Sequence, residues 1–402
     1  MITRHDCRLC HGKDLVKVLE LGKMPHAGAF ITKDELSEEK SYPLDVYFCK
    51  NCTLVQLLDV IPKDELFKQY HYMSSVSMSE HFIQYAKVLA SILKSDSFVI
   101  EIGSNDGFLL KQLKSSGFKV LGIDPSDMAS LAIKNGVETV NEYFTKKVAE
   151  SIVKEKGKAD LITSSNTFAH IDNLDEVMEG IKLLLKEDGS FVVEVHYLLD
   201  LIEKLQYDTI YHEHFCYYSL SSLIPFFKKY GMEICKVERI PIHAGSIRVY
   251  TRFATDKVID KSVGEVSALE KKAGLGKIET YENFARFVSS HKEVLMKLLK
   301  DIKSKSKKIV GYGAAGRANT LMNYCGIDTK ILDFIADDSP ARQNHLTPGS
   351  HIPVVSADKI EEANPDYILI LAWSFKDKIM EKQKAFKGKF IVPLPKPEVI
   401  NR

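Results

Sequence analysis

The sequence lacks any long apolar run and any excess of charge of one sign. No window of its 402 residues approaches the length of a membrane span, and the opening MITRHDCRLC has no apolar core of a signal peptide. Lys and Arg number 55 against 54 Asp and Glu, so the formal net charge of +1 offers no basic excess to hold a polyanion. These absences argue against a membrane or nucleic-acid partner and predict a cytoplasmic protein.

The seven cysteines are odd in number, which argues against a disulfide framework, and four of them form two close pairs. Cys7 and Cys10 make one C-x-x-C pair, and Cys49 and Cys52 make the other. A two-residue gap lets both thiolates of a pair face one tetrahedral zinc ion. Because four thiolates leave no open position for chemistry, the sequence predicts a structural zinc ion, with the neighbouring histidines as bystanders.

The pattern of residues changes twice along the chain. Residues 1–72 are rich in loops punctuated by Gly and Pro, and they predict a small zinc-binding domain. Residues 73–255 alternate continuous apolar strands with helices, which indicates a mostly parallel sheet covered on both faces. The alternation starts again within residues 256–402, so we predict an α/β protein with a central Rossmann-like domain and a second, smaller Rossmann-like domain at the C-terminus.

Small residues occupy the first strand-to-helix turn of the central domain, EIGSNDGFLL. Small residues let an adenosine-bearing ligand approach the backbone at the carboxyl ends of the strands. The E-x-G-x-x-x-G spacing, with an acid at the end of the next strand, resembles motif I of the class I methyltransferases. The resemblance predicts S-adenosylmethionine as the cofactor. Its predicted site comprises Glu101, Gly103, Asn105, Gly107, Asp124, Pro125, Ser126 and Asn166.

The segment YHEHFCYY, which starts at Tyr211, concentrates the polar residue types that catalyse proton transfer. Histidine is the usual general base, a carboxylate can orient it, and a tyrosine can donate to an oxyanion. Such a set suits methylation of carbon, which needs a base and an enolate stabiliser, better than methylation of a hydroxyl or amine. A metal bound by His212 and His214 is an alternative, although no further ligand cluster is visible nearby. His170, beyond the third strand, is equally consistent with contact to an acceptor and with a capping role.

Several segments in this order resemble the zinc-containing sugar C-methyltransferases of deoxysugar biosynthesis. They are CRLC, CKNC, YHYMSS, EIGSNDGFLL, SSNTFAHI, IYHEHFCYYSL, HAGSIRVY, GYGAAGRANTLMN and DDSPARQNHLTPGSHIPV. The match runs over essentially the whole chain, and the YHEHF block is its most specific part. The resemblance implies zinc in front, the methyl donor in the middle, and a nucleotide-sugar held between the middle and last domains.

The resemblance also implies a reaction, methyl transfer to C3 of a 4-keto deoxysugar nucleotide. By position, His214 is the base that takes the C3 proton, and Tyr211 steadies the enolate oxygen, with Glu213 and His170 supporting them. The implied substrate residues are Tyr70 or Tyr72, together with His243 and Arg248.

The resemblance implies thymidine diphosphate as the carrier, with cytidine and guanosine carriers as alternatives, and we expect a monomer or weak homo-oligomer. The sequence departs from the family in its last domain, where Arg317 and Ala318 replace a Lys-Gly pair. The departure leaves the identity of the sugar nucleotide open.

A rival interpretation comes from the G-x-G-x-x-G run Gly311–Gly316, which follows a predicted strand and precedes a helix. Asp337 at the end of the next strand completes a dinucleotide fingerprint, which alone would indicate an NAD-dependent oxidoreductase. We rank it lower because a second soluble cofactor has no evident reaction to serve. An O- or N-methyltransferase acting on a sugar or nucleic acid is the other alternative.

Overall fold

A computed structural model describes residues 1–67, 78–255 and 258–401 of the chain. The first range contains β1 (Ile2–Thr3), β2 (Leu15–Met24), β3 (Tyr42–Cys49), β4 (Val55–Leu57), β5 (Asp59–Val60) and α1 (Lys63–Phe67). Strand β3 alternates buried and half-buried residues, with Leu44, Val46 and Phe48 on its buried face. Strands β2, β3 and β4 pair in antiparallel fashion, and β1 pairs with β5 in a separate two-stranded sheet.

The central part of the chain forms a seven-stranded sheet with the order β12-β13-β10-β9-β6-β7-β8. Its strands are β6 (Phe98–Ile102), β7 (Lys119–Ile123), β8 (Thr139–Val140), β9 (Ala159–Ser165), β10 (Leu185–His196), β12 (Met232–Ile240) and β13 (Ser246–Phe253). Its helices are α2 (Ser79–Ile92), α3 (Phe108–Ser115), α4 (Met128–Lys134), α5 (Lys146–Lys156), α6 (Leu174–Leu184), α7 (Leu198–Glu203) and α8 (Leu220–Lys229). Neighbours from β10 to β8 are parallel, whereas β13 is antiparallel to both β10 and β12, which confirms the predicted mostly parallel sheet.

The chain order reverses between β6 and β9, the two strands at the middle of this sheet. The chain runs outward from β6 through β7 to β8, and then returns to the other side of β6 as β9. In open α/β sheets, ligands bind outside the carboxyl ends of the strands at such a switch point. The topology therefore directs attention to the residues that follow Ile102 and Ser165.

A two-residue strand, β11 (Cys216–Tyr217), connects the central part to the N-terminal sheet. It pairs with β4, which gives the N-terminal sheet the order β11-β4-β3-β2. The backbone N–H of Leu57 also donates to the carbonyl of Phe215 at 2.9 Å. The segment YHEHF therefore ends inside a sheet that it shares with the cysteine-bearing part of the chain.

The C-terminal part forms a six-stranded sheet with the order β16-β15-β14-β17-β18-β19, parallel except for the β18–β19 pair. Its strands are β14 (Ile309–Tyr312), β15 (Ile335–Ala336), β16 (Val354–Val355), β17 (Tyr367–Ile370), β18 (Lys389–Val392) and β19 (Glu398–Ile400). Its helices are α9 (Lys261–Ala273), α10 (Ile278–Ser304), α11 (Gly316–Cys325), α12 (Lys359–Ala363) and α13 (Lys376–Lys382). The predicted second Rossmann-like fold is confirmed.

The long helix α10 joins the C-terminal part to the N-terminal sheet. Tyr281, Phe284, Val288 and Leu295 recur at helical spacing on its buried face, as expected for an amphipathic helix. The ring of Tyr281 lies 4.8 Å from that of Phe48 on β3, centroid to centroid. One apolar core consequently runs from the N-terminal sheet to the C-terminal sheet. No helix among the described residues has both the length and the apolar character that a membrane crossing requires.

Candidate active site

The four paired cysteines converge on one point in the N-terminal part. Sγ of Cys7 lies 3.5 Å from Sγ of Cys52, and Sγ of Cys10 lies 3.6 Å from Sγ of Cys49. All four sulfur atoms lie within 4.8 Å of one another, and three of the residues are buried. Four thiolates gathered at this spacing fit tetrahedral zinc and close its coordination shell. The ring nitrogens of His11 instead contact Asp6 and Asp175, so this histidine has partners away from the cluster.

A cavity of about 570 Å³ opens at the carboxyl ends of β6, β7 and β9. The predicted cofactor residues Gly103, Asn105, Asp124, Pro125, Ser126 and Asn166 line it. The predicted reaction-centre residues His170, Tyr211, His214 and His243 line it as well. Residues that the sequence assigned to a cofactor site and residues that it assigned to a reaction centre therefore line the same cavity.

The turn after β6 needs glycine at two positions. Gly103 has φ of +77°, and a Cβ there would lie 2.1 Å from Oγ1 of Thr167. Gly107 has φ of +73° and precedes α3, with Ala132 3.0 Å from the position of an added Cβ. A side chain at Gly103 would strain the backbone and fill the space where the turn meets the cavity.

Asp124 holds the turn and the next strand end together. Its Oδ2 accepts from the backbone N–H of Asn105 at 2.8 Å, and its Oδ1 accepts from the backbone N–H of Ser126 at 2.9 Å. Asn141 donates to the carbonyls of both Asp124 and Ser126. The carboxylate lines the cavity from this fixed position, where its remaining lone pairs can accept from ribose hydroxyls.

Several buried oxygen atoms beside this turn have no hydrogen-bond partner among the described residues, and Oε2 of Glu101 and Oδ1 of Asn166 are two of them. Burial raises the pKa of Glu101 well above its usual value, and the nearby carboxylates of Asp124 and Asp106 raise it further. Leaving buried acceptors unsatisfied costs free energy, so the site fits a ligand that brings donors, as the ammonium and hydroxyl groups of S-adenosylmethionine do.

The opposite side of the cavity is built around His214. Nδ1 of its ring lies 2.8 Å from the carbonyl oxygen of Thr209. A carbonyl only accepts, so Nδ1 carries the proton, and Nε2 is the basic nitrogen of the neutral ring. No hydrogen-bond partner occupies Nε2 among the residues that the structure describes. The ring of Tyr211 lies 3.9 Å from that of His214, centroid to centroid.

Three further histidines surround His214 at the cavity wall. The ring centroids of His170 and His196 lie 4.9 and 5.0 Å from that of His214, and His243 lies 5.0 Å from His196. Burial lowers the pKa of His214 well below 6.5, and His170 lowers it further. Burial also lowers the pKa values of His170 and His196, and burial with the Arg317 cation lowers the pKa of His243 to about 4. The cluster is therefore neutral at pH 7.

The structure gives Glu213 a different neighbour from the one that its sequence position suggested. Its Oε1 lies 3.8 Å from Nδ1 of His26, and Gly28 packs close to the same oxygen. The acceptor that orients His214 is the Thr209 carbonyl and not the Glu213 carboxylate. His212 is not among the residues that line the cavity, and its Nε2 lies 3.3 and 3.1 Å from the carbonyls of Tyr42 and Pro43. Among the described residues, the group of three or more candidate metal ligands is the four-cysteine cluster and does not include His212 or His214.

Arg248, a substrate contact predicted from the sequence, lies in a buried network of charged and aromatic side chains. Its guanidinium pairs with Glu194 at 2.9 Å and Glu238 at 3.2 Å and lies over the ring of Tyr85 at 3.9 Å. Arg248 is buried in this network and is not among the residues that line the cavity. Its physical role is to neutralise the buried Glu194 carboxylate. The candidate substrate residues Tyr70 and Tyr72 lie outside the described residues.

Among the cavity residues that were not predicted as site residues from the sequence are three polar ones near His214, namely His196, Thr209 and Arg317. His196 ends β10 and Thr209 ends a 3₁₀ turn, and neither belongs to a recognised motif. Arg317 was noted only as a departure from the family pattern, yet it reaches the cavity from helix α11. The strand-end position of His196, at the same sheet edge as Asn166, is the one signal that would have found it.

In the C-terminal part, the acidic residue of the G-x-G-x-x-G fingerprint, Asp337, accepts hydrogen bonds from backbone N–H groups of the protein itself. Oδ2 of Asp337 accepts from the backbone N–H of Ala314 at 2.6 Å, and Oδ1 accepts from that of Ser339 at 2.8 Å. Gly316 at the start of α11 faces Tyr211, whose Cζ lies 3.9 Å from the position of an added Cβ. The helix that would receive a dinucleotide thus begins at the wall of the cavity that the Gly103 turn lines.

Three family models match successive parts of the chain. A model described as "Putative zinc binding domain" matches residues 7–67, and a methyltransferase-domain model matches residues 71–237. A model described as the C-methyltransferase C-terminal domain matches residues 241–395. Their order along the chain is that of the cysteine cluster, the seven-stranded sheet and the six-stranded sheet.

The chain is 36% identical to C-methyltransferase NovU of Streptomyces niveus, over 98% of this chain and 97% of that protein. An uncharacterized methyltransferase of Alkaliphilus oremlandii is 29% identical over 33% of this chain and 65% of its own length. The solved structure of the CcbJ methyltransferase from Streptomyces caelestis aligns with a TM-score of 0.34 and 14% identity, over 43% of this chain and 90% of that chain. The likeness to NovU extends over the full length of this chain.

Proposed function

The chain belongs to the C-methyltransferase family and depends on S-adenosylmethionine, and from this we propose that it methylates C3 of a nucleotide-linked 4-keto deoxysugar. The observation that carries the proposal is the state of His214. Its Nδ1 donates to the Thr209 carbonyl, and its Nε2, which has no hydrogen-bond partner among the described residues, belongs to a ring that lines the same cavity as the Gly103 turn. A neutral imidazole beside the methyl-donor site is what abstraction of a carbon-bound proton requires.

In the proposed step the C3–H bond breaks and its proton moves to Nε2 of His214. The electron pair enters the enolate formed by C3, C4 and the C4 oxygen. C3 would then form a bond to the methyl carbon as the bond between that carbon and the donor sulfur breaks. The electron pair of the broken bond would stay on sulfur, S-adenosylhomocysteine would leave, and the C4 carbonyl would be restored. Because His214 is neutral before the step and buried, it accepts the proton without competition from water.

Tyr211 is the proposed donor to the enolate oxygen. Its ring lies against that of His214, so one substrate position brings C3 to the base and the C4 oxygen to the phenol. A donor aimed at developing negative charge in a site of low dielectric is worth about 10²–10³ in rate. His170 and Glu213 are proposed to support this pair, His170 through its ring contact with His214.

The residues proposed to hold the cofactor are those of the Gly103 turn, Asp124, Ser126, Glu101 and Asn166. When bound there, S-adenosylmethionine supplies an electrophilic methyl group on sulfur. Glu101 and Asn166 contribute acceptor atoms that have no donor in the described parts of the chain, and Asp124 contributes a carboxylate fixed by the turn. The glycines keep the turn free of side chains where the ligand approaches the backbone.

We propose that the substrate carries thymidine diphosphate and lies between the central and C-terminal parts. The cavity takes most of its lining from the central part and one residue, Arg317, from helix α11, which supports a ligand held between them. His243 and the segment of Tyr70 and Tyr72 are the proposed contacts to the sugar nucleotide. Cytidine and guanosine carriers are the alternatives, and they differ from thymidine in the base and in the 2′-hydroxyl group of the ribose.

The test is incubation with nucleotide-linked 4-keto deoxysugars in deuterated water, with and without S-adenosylmethionine, followed by mass spectrometry. We expect one added methyl group with the cofactor and deuterium exchange at C3 without it. The His214→Asn variant should lose both by at least about 10²-fold while it still binds the cofactor. His212→Asn is the matched control, since its ring faces the carbonyls of β3 and should leave exchange intact.

Three results would contradict the proposal. Near-normal turnover in His214→Asn would remove the base from the mechanism. A methylated product without any exchange at C3 would indicate methylation of oxygen or nitrogen. No product with thymidine, cytidine and guanosine sugars alike would favour methylation of oxygen or nitrogen in a different substrate, or the dinucleotide interpretation of Gly311–Gly316.

A further inference from the structure

Asp208 is a buried carboxylate at the contact between the central part and helix α11. It is 1% exposed and belongs to the 3₁₀ turn Tyr207–Thr209. Nε and Nη2 of Arg317 each donate to one of its oxygens at 2.9 Å. Nε1 of Trp373 donates to Oδ2 at 2.7 Å. Three donors from the C-terminal part therefore converge on one carboxylate of the central part.

The bonds around this carboxylate fix the turn on both sides. Nη2 of Arg317 also donates to Oε1 of Gln206 at 3.2 Å, and Nη1 donates to the carbonyl of His243 at 3.3 Å. Thr320, one turn further along α11, donates to the carbonyl of Ile210 at 3.0 Å. The guanidinium also lies 4.9 Å from the ring centroid of Trp373. Helix α11 thus holds the backbone from residue 206 to residue 210.

The next residue in the turn is the one that orients the proposed base. The Thr209 carbonyl lies 2.8 Å from Nδ1 of His214, and it is the acceptor that selects the Nδ1–H tautomer. Its direction is set by the backbone of the turn that Asp208 anchors. A misplacement of about 1 Å at a reacting group can cost 10²-fold in rate.

We propose that Arg317 and Trp373 are positioning residues, which act through Asp208 to hold the Thr209 carbonyl and so keep His214 in its productive tautomer and orientation. The inference rests on the proposed function of His214. The inference gives the turn Gly311–Gly316 a role other than cofactor binding, because Arg317, the residue after Gly316, holds the Asp208 carboxylate. An arginine matches both oxygens of a carboxylate at once, which a lysine cannot do.

The first test compares Trp373→Phe and Arg317→Lys with the wild type. Trp373 does not line the cavity, so its variant should lower kcat for methyl transfer about tenfold while KM for the sugar nucleotide stays within twofold. Arg317→Lys should lower kcat about 10–100-fold, with cofactor affinity within twofold. Arg342→Lys is the matched control, since Arg342 pairs with Asp337 in the same part of the chain but outside the cavity, and its kcat should not change.

A second measurement does not depend on the substrate. In ¹⁵N-labelled protein without ligands, the ring-nitrogen shifts of His214, identified by their loss in His214→Asn, report which nitrogen carries the proton. The wild type and Arg342→Lys should show the Nδ1–H tautomer of His214. Trp373→Phe and Arg317→Lys should show a mixture of the Nδ1–H and Nε2–H tautomers. Failure of the wild type to methylate any keto-sugar would remove the proposed function, whereas this spectrum would still decide the positioning role.

Combining Trp373→Phe with Asp208→Asn provides the remaining check. If Trp373 acts through Asp208, its substitution should lower kcat less in the Asp208→Asn background than in the wild type. The inference is overturned if both single variants retain wild-type kcat and the Nδ1–H tautomer. It is equally overturned if Arg317→Lys raises KM alone, which would make Arg317 a direct substrate contact.

Discussion

At the scale of single residues, burial decides how the histidine cluster responds to acid. His214 works as a base only while its ring is neutral, and burial lowers its pKa well below 6.5. The acidic limb of kcat/KM should therefore have its midpoint below pH 6.5, because the ring remains neutral through that value. A pH–rate profile from about pH 5 to pH 8 checks this expectation, and a midpoint at or above pH 6.5 would contradict it.

The same burial affects stability, so the profile needs a control. The cluster histidines have lower pKa values in the folded protein than in the unfolded chain, so the unfolded chain binds more protons below pH 6.5. Their contribution to the free energy of unfolding is present above that value and is lost as pH falls toward the folded pKa values. Circular dichroism at each pH, with activity measured again after return to pH 7.5, separates loss of the base from loss of the fold.

The position of a candidate site residue was predictable from the sequence where it depends on a pattern of residues close by in the chain. Gly103 and Asp124 follow strands of an obvious pattern, and the structure brings them to one cavity. The ion-pair partners of Arg248 and Arg317 were not predictable, because those partners are distant in sequence. The partner of Arg248 is Glu194 across β10 and β13, whereas the partner of Arg317 is Asp208 in another part of the chain. Neither ion pair can be recognised from the residues that surround the arginine in the sequence.

At the scale of elements, the turn between β6 and α3 permits a matched test of glycine. Gly103→Ala should weaken S-adenosylmethionine binding at least tenfold, since the added Cβ would meet Thr167 at 2.1 Å in a backbone with positive φ. Gly136→Ala is the control, because Gly136 has φ of +82° but nothing within 4 Å of an added Cβ. It should lower the free energy of unfolding by about 1 kcal/mol and leave binding unchanged. Calorimetric titration with S-adenosylmethionine measures both affinities. Equal affinities in the two variants would contradict the proposal that the Gly103 turn holds the cofactor.

Element types were predictable where the hydrophobic pattern is long, and unpredictable where an element is defined by pairing. The strands β6, β7, β9 and β10 follow continuous apolar runs, and helix α10 follows helical spacing over 27 residues. Strand β11 has two residues, and only its pairing with β4 makes it a strand. No local propensity marks such a strand, since both its length and its register come from a partner remote in sequence.

At the scale of the whole molecule, the zinc cluster and the reaction centre are connected through a shared sheet. Removing zinc with a chelator should lower Tm by on the order of 10 °C, because metal binding at a structural site contributes directly to folding. It should also lower methyl transfer, since β4 pairs with the strand that follows His214. Thermal unfolding and activity before and after zinc is returned test both expectations. Full activity in the zinc-free protein would mean that the two regions are independent.

The N-terminal sheet takes its strand β11 from the central part of the chain, and this arrangement also affects the protein during its synthesis. A ribosome releases β2, β3 and β4 early, but the outer position beside β4 stays empty until Cys216 and Tyr217 emerge. Until then the nascent chain presents an open strand edge, which is a template for pairing with other chains. Chains that terminate before residue 216 should therefore aggregate, and a fragment chosen to contain only the zinc region would need a substitute for β11.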